Sequence, residues 1–336
     1  MSAPVQILMS KRAAGHFGAG VATAMGERPY RIVLLEDVPA DGSPCAIDVA
    51  LLSRDVTGRS GKFKITEALA HFLDVLARSP NLAWVQTHSA GTDRPTWKPI
   101  KARGIRLTTS SGMATTVALS AVGGIIALAR RFPDLADAQR RHAWEPLLEE
   151  RAPRDLAGQT AVIAGLGPIG TEVARLLKAV GLRVVGIRRA AQPHLHCDET
   201  AAYGDLAKYL PKTDWLVLAC PLTELTRGLV DAAAIASLPK GACIVNVARG
   251  EVISEQAMIE ALRDGHLGGA WLDVFEYEPL DPASPLWDLP RVMISPHSSG
   301  AADGNYARAG AVFLDNLARW REGRPLANEA SRLEAS

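Results

Sequence analysis

One short pattern constrains the fold of this chain more than any other: Gly165-Leu-Gly-Pro-Ile-Gly170, set between an apolar run and an amphipathic stretch. Thr160–Ala164 reads as a buried strand and Ile169–Val180 as a helix, so the glycines fall at a strand-to-helix turn. Gly165 and Gly167 let the backbone turn sharply and approach a pyrophosphate. Pro168 and Ile169 open the helix, and Gly170 lets it lie close on the sheet. Such a turn commits its surroundings to parallel βα units.

The rest of the pattern agrees. Strand signals follow at Arg183–Ile187, Trp215–Ala219, Cys243–Val247, Gly269–Val274 and Val292–Ser295, with a helix at Ser254–Arg263. With Thr160–Ala164 they make six, the number expected of a Rossmann sheet. Upstream, Val5–Met9, Ile32–Leu35, Ile47–Leu52, Leu82–Gln86 and Ile105–Thr109 read as strands. Thr66–Ala77 carries Leu69, Phe72, Leu73 and Leu76 at helical spacing and must end before Pro80. A chain of 336 residues holds two domains comfortably. The expected fold class is α/β: two Rossmann-like or flavodoxin-like doubly wound parallel-sheet domains separated by a cleft. The substrate-binding domain takes residues 1–110 and is completed by 300–336, including an amphipathic helix at Ala301–Arg321. The dinucleotide-binding domain takes 111–299.

Net charge is +1, with no lysine or arginine block, so neither nucleic acid nor a membrane surface is expected as a partner. The most apolar stretch, Val117–Ala129, is too short to span a bilayer and reads as a buried helix whose Gly123 and Gly124 permit close packing. Met1–Ser10 lacks the layout of a signal peptide. Cys45, Cys197, Cys220 and Cys243 stand far apart, which predicts free thiols in a reducing cytoplasm. His194-Leu-His-Cys197 lacks the further ligands a metal would need and reads as a surface loop.

The second strand of the nucleotide domain ends in Gly186-Ile-Arg-Arg189, with no acid before Asp198. A carboxylate there would repel a 2′-phosphate, whereas the guanidiniums of Arg188 and Arg189 bind one through charge-assisted hydrogen bonds. NADP(H) is therefore expected, with NAD(H) as the alternative. Further on come Arg249 in Asn246-Val-Ala-Arg-Gly250, Glu278 in Tyr277-Glu-Pro-Leu280 and His297 in Ser295-Pro-His-Ser298. Reduction of a 2-oxo acid needs its carboxylate held, its carbonyl polarised and its oxygen protonated. Arg249 supplies the first two. His297 supplies the proton, and Glu278 holds the ring and favours the imidazolium.

Taken in order, these motifs make the chain resemble the D-isomer-specific 2-hydroxyacid dehydrogenases. Leu156-Ala-Gly158, Cys220-Pro-Leu-Thr223, Leu272-Asp-Val-Phe275, Pro285-Leu-Trp287 and Pro296-His297 belong to the match, which is densest from Asp155 to Gly300. The resemblance assigns catalysis to Arg249, Glu278 and His297. It places Asp273 near the nicotinamide carboxamide and Cys220, Pro221 and Thr226 in the loop bordering the adenosine and phosphates, and it assigns Ala248 and Ser299 to cofactor binding. Ser89, Ala90 and Gly91, in Gln86-Thr-His-Ser-Ala-Gly-Thr-Asp93, match the loop that holds the substrate carboxylate, and Arg54 in Leu52-Ser-Arg-Asp55 matches another substrate-facing position. For His88, substrate contact and a structural role stand equal. A homodimer built on the nucleotide domains is implied. Hydride transfer needs water excluded and the reactants aligned, so the domains are expected to close on ligand about Ser110–Gly112 and Ser298–Gly300.

The resemblance points to a small 2-oxo acid, glyoxylate or hydroxypyruvate, as substrate. Alternatives within the fold are an NAD-dependent member acting on another 2-oxo acid or on 3-phosphoglycerate, and a nucleotide-sensing corepressor-like binding protein. Formate dehydrogenases place glutamine where this chain has Glu278, which ranks them low. One departure stands out: Ala118-Leu119-Ser120 replaces the Ala-Glu pair common at the start of the long helix.

Overall fold

Every strand pair in the computed structural model, which describes residues 3–60 and 65–330, is parallel, and the strands sort into two sheets. The chain divides into two units, Met1–Met113 with Ala302–Ser336 and Ala114–Ala301. In the first unit, β1 (Val5–Met9), β2 (Tyr30–Leu34), β3 (Val49–Leu52), β4 (Trp84–Thr87) and β5 (Arg106–Thr108) lie in the order β2-β1-β3-β4-β5, the flavodoxin-like arrangement.

Alternation along these strands divides the core in two. Leu8, Ala50, Leu52, Val85 and Leu107 face one way, onto Leu69, Phe72 and Leu76 of the helix Glu67–Ala77. Ile7, Met9, Val49, Leu51 and Trp84 face the other, onto Phe17 and Val21 of the helix Lys11–Met25 and Phe313 and Leu317 of the helix Asn305–Arg321. Burial on both faces explains why β3 reads as a continuous apolar run; in β4 the same burial takes in the polar Gln86 and Thr87. The carboxy-terminal segment is tied in by polar groups as well: the fully buried Asn316 donates to Gln86 Oε1 at 2.9 Å and accepts from the Ala327 amide at 2.8 Å.

The second unit contains β6 (Thr160–Ala164), β7 (Arg183–Arg188), β8 (Glu199–Ala202), β9 (Trp215–Leu218), β10 (Cys243–Asn246), β11 (Gly269–Leu272) and β12 (Val292–Ile294), in the order β12-β11-β10-β9-β6-β7-β8. The sheet thus has seven strands where the sequence pattern predicted six. The extra strand, Glu-Thr-Ala-Ala, lies at the edge, pairs only with β7 and carries no apolar run to announce it. Chain order reverses between β6 and β9, so the glycine turn sits at the topological switch point.

Helix Ala114–Ala129 is mostly buried, as its composition predicted. A Cβ on Gly124 would come within 2.5 Å of the Trp271 indole, so only glycine permits this helix-to-sheet approach. No single helix among the described residues is long and apolar enough to cross a membrane.

Candidate active site

At the end of β6 the chain turns through Gly165, whose φ of 102° lies in the left-handed region. Its missing side chain is required twice over, because a Cβ would fall 2.6 Å from the Cys220 backbone. The helix Pro168–Ala179 then starts, with Gly167 as its N-cap and Pro168 in the first turn, where a missing N–H costs nothing. Ile169 continues that turn. A Cβ on Gly170 would meet the Gly165 carbonyl oxygen at 1.8 Å, so the helix lies directly on the turn. A Cβ on Gly167 would meet nothing within 4 Å. The free amides of a 12-residue helix therefore open onto unfilled space, which fits an anionic pyrophosphate.

Arg188 is the last residue of β7 and half-buried; Arg189 follows it into solvent. The Arg188 backbone pairs with β8, but neither guanidinium makes a hydrogen bond or ion pair with a described residue, which leaves both available to a phosphate. The segment His194–Cys197 forms a turn between β7 and β8, with His194 Nε2 3.3 Å from Thr171 Oγ1 near the start of the glycine helix.

Beyond β9, Cys220 is buried, and burial pushes its thiol up to about 12, so it is a packing group and not a nucleophile. The Thr226 hydroxyl donates to the Pro221 carbonyl at 2.6 Å and accepts from the Thr223 amide at 2.9 Å. Thr226 therefore braces the loop that the resemblance assigned to the cofactor, and its own side chain is buried.

Arg249, Glu278 and His297 follow β10, β11 and β12, three neighbouring parallel strands. The Asn246 side chain shapes the first of these turns, accepting from the Ala248 amide at 3.0 Å and donating to the Arg249 carbonyl at 3.1 Å. Ala248 is buried in that turn. Gly250 then presses on the next segment: a Cβ there would lie 1.9 Å from the Phe275 carbonyl carbon. This contact sets Arg249 beside the stretch that carries Glu278.

Glu278 Oε2 lies 2.8 Å from His297 Nδ1, and its other oxygen accepts from the Phe275 amide at 3.2 Å. Burial, the largest single influence, pushes the carboxyl up, and the bond from His297 opposes it without outweighing it alone. With help from the Phe275 amide and the Arg249 charge, Glu278 is left below its ordinary range. It is a carboxylate at neutral pH. His297 has a φ of 51°, rare for a side chain of this kind, and its amide is shared between the Asp273 and Ser295 carbonyls, each at 2.9 Å.

Asp273 organises that turn. Its Oδ1 accepts from Ser295 Oγ at 2.7 Å and from the Ser298 and Ser299 amides at 2.8 Å each. The Ser299 carbonyl accepts from Ser120 Oγ at 3.0 Å, so the residue following the family's missing glutamate anchors the far end of the same turn. The Ser299 hydroxyl is buried and has no hydrogen-bond partner among the described residues. An orphaned hydroxyl beside Asp273 fits the amide group of a nicotinamide, since a buried polar atom costs stability until something bonds to it. The bracing roles of Asn246, Ser295 and Ser120 were not foreseen. Only Asn246 carried a signal, its place three residues before Arg249.

In the first unit, Arg54 opens the four-residue helix Arg54–Thr57 after β3 and is exposed. After β4 come Ser89, Ala90 and Gly91. Ser89 Oγ lies 3.1 Å from Thr87 Oγ1 and donates to the Gly91 carbonyl at 3.2 Å, which curls the loop on itself. Among the described residues, no group of three or more His, Cys, Asp or Glu is gathered as a metal would require.

A seven-stranded sheet with this turn at its switch point defines a dinucleotide-binding protein. Residues 122–299 match the family model described as D-isomer specific 2-hydroxyacid dehydrogenase, NAD binding domain. The chain is 32% identical over 300 residues to a glyoxylate/hydroxypyruvate reductase of Arabidopsis thaliana, covering 89% of this chain and 90% of that one. It is 31% identical over 255 residues to a glyoxylate reductase of Korarchaeum cryptofilum, covering 74% and 76%. Among solved structures, a D-isomer specific 2-hydroxyacid dehydrogenase of Xanthobacter autotrophicus, in complex with NADPH and MES, superposes with a TM-score of 0.76 at 29% identity, over 98% of both chains. An NADPH-dependent glyoxylate/hydroxypyruvate reductase of Sinorhizobium meliloti, in complex with NADP and sulfate, gives 0.76 at 27% identity over the whole of both. The chain belongs to the D-isomer specific 2-hydroxyacid dehydrogenase family, NAD(P)-dependent oxidoreductases acting on CH–OH groups.

Proposed function

We propose that this enzyme reduces a small 2-oxo acid, glyoxylate or hydroxypyruvate, to the D-2-hydroxy acid with NADPH. The observation that carries this reading is the 2.8 Å pairing of Glu278 with His297, with the Arg249 charge acting on the same carboxylate. Arg249 binds the substrate carboxylate and draws electron density onto the carbonyl oxygen. The nicotinamide, when bound, supplies the hydride to the carbonyl carbon. His297 gives its proton to the carbonyl oxygen, and the ionised Glu278 holds the ring and balances its charge; in alcohol oxidation the neutral ring takes the proton back. Arg54, Ser89, Ala90 and Gly91 of the first unit are assigned to substrate binding.

Arg188 and Arg189, uncommitted at the end of β7, support NADP(H) over NAD(H), as do the NADPH and NADP carried by the two solved relatives described above. Gly165, Gly167, Pro168, Ile169 and Gly170 cradle its pyrophosphate, and Asp273 and Ser299 border the nicotinamide. Exposed apolar side chains support a homodimer through the second unit: Trp144 is 96% exposed and Leu148 66%, with Phe132 and Leu119 also in solvent. The four unpaired cysteines accord with a reducing cytoplasm.

The deciding experiment follows absorbance at 340 nm with hydroxypyruvate and with glyoxylate, using NADPH and NADH in parallel. Turnover preferring NADPH supports the assignment. Tight NADPH binding without turnover on either acid refutes it in favour of a nucleotide-sensing role.

A further inference from the structure

Arg54 is an exposed side chain on a helix of one turn, Arg54–Thr57, which ends at Gly58 with a φ of 54°. A single turn has almost no stability of its own, because fixing its dihedrals costs more than its hydrogen bonds return. Its position is set by side chains from elsewhere in the first unit, and they grip it at both ends.

At one end, Asp55 Oδ1 accepts from Tyr306 Oη at 2.9 Å. Burial pushes the Asp55 carboxyl up, but the hydroxyls of Ser10, Ser53 and Tyr306 outweigh it and hold it below the usual carboxylate range. Tyr306 is itself fixed: its ring stacks on Phe17 at 5.2 Å, meets His16 edge-on at 5.3 Å and lies under the Arg12 guanidinium at 5.1 Å. At the other end, Thr57 Oγ1 lies 3.0 Å from His88 Nε2, with both residues buried. The His88 amide donates to the Leu52 carbonyl at 3.0 Å, and the chain then runs directly into Ser89, Ala90 and Gly91. Burial, then the nearby Arg54 and Arg94 charges, push the His88 imidazole down to about 4, so it is neutral at working pH. An apolar pair would fill this volume without desolvating a hydroxyl and an imidazole. What the polar pair adds is direction.

The geometry points to a positioning clamp: Tyr306 through Asp55, and His88 through Thr57, fix the direction of Arg54 relative to the Ser89–Gly91 loop, and so set the affinity for the substrate carboxylate. This rests on the substrate-binding reading of Arg54. His88 is a positioning residue and does not touch substrate.

The test is a double-mutant cycle with hydroxypyruvate at saturating NADPH, using T57V, Y306F, R54M and the two doubles with R54M. T57V and Y306F are each expected to raise KM about three- to tenfold, with kcat and the NADPH dissociation constant unchanged, and T57S to recover wild-type KM. In the R54M background neither should add a further loss. Unchanged KM in T57V and Y306F, with R54M impaired, overturns the clamp. A loss of full size in the R54M background also overturns it, because a general weakening would not depend on Arg54. Wild-type KM in R54M itself overturns the reading of Arg54, and the clamp falls with it.

Discussion

Replacing Glu278 with glutamine isolates one quantity, the charge opposite the reacting histidine. The amide keeps an oxygen that can accept from His297 Nδ1, so the ring stays oriented and only the counter-charge is removed. At the observed 2.8 Å, two unit charges attract by ~1.5 kcal/mol in a medium as polar as water and by ~6 kcal/mol at an effective dielectric of about 20. The His297 side chain is 50% exposed and that of Glu278 34%, so solvent screening holds the effect near the lower figure. Loss of that attraction is worth about tenfold in the rate of proton delivery from His297. E278Q should therefore lower kcat/KM for glyoxylate reduction about tenfold at neutral pH. E278A, which also frees the ring, should lose about tenfold more. In the wild type, the folded Glu278 carboxyl titrates below its ordinary value of 4.5, so its contribution is complete above that pH and is lost only as pH falls through the depressed value. Steady-state rates across about pH 5 to 10 decide the matter. An E278Q enzyme within about twofold of wild type would refute the assigned role.

Three further outcomes follow from the same geometry. R188A/R189A should raise KM for NADPH by about tenfold or more while leaving KM for NADH within about twofold, measured as a ratio in one preparation. D273A removes an oxygen that accepts three hydrogen bonds from the turn carrying His297, so kcat should fall by about a hundredfold with the far-UV dichroism unchanged. The neutral, buried His88 should make folding stability fall as pH drops from about 6.5 to about 4, because the unfolded chain takes up a proton that the folded one refuses. The full effect is about 3 kcal/mol. H88N should flatten that slope in urea titrations, and an unchanged slope would contradict the burial argument.

The sequence was readable where local pattern and tertiary role coincide. Thr66 and Ser254 were placed at helix starts, and each is the N-cap of its helix, accepting from the amide three residues on. The central strands declared themselves because burial on both faces makes them mostly apolar. Edge strand β8 did not, since Glu199 is exposed, Thr200 only partly buried, and two alanines are all the apolar signal it carries. The helix Lys11–Met25 was missed because Gly15, Gly18 and Gly20 argue against it, and packing overrides propensity: Gly20 lies against Leu314, where a Cβ would come within 2.4 Å of a side-chain methyl. At the site, Arg249, Glu278 and His297 stood out as chemistry-bearing types inside short motifs. What holds them did not. The three bonds to Asp273 Oδ1 join residues more than twenty positions apart in sequence, and no spacing rule yields them.

The placement of Arg249, Glu278 and His297 beyond three adjacent strands also bears on how the enzyme fails when heated. Their separation is inherited from the parallel ladder, whose strands stand about 4.8 Å apart, and not from the length of the segments that join them. Core strands open with the global transition, whereas edge strands and the loops beyond them open earlier, and β12, which leads into His297, is an edge strand of this sheet. Heat inactivation should therefore run ahead of the loss of the sheet, with the His297 turn the first to lose its alignment.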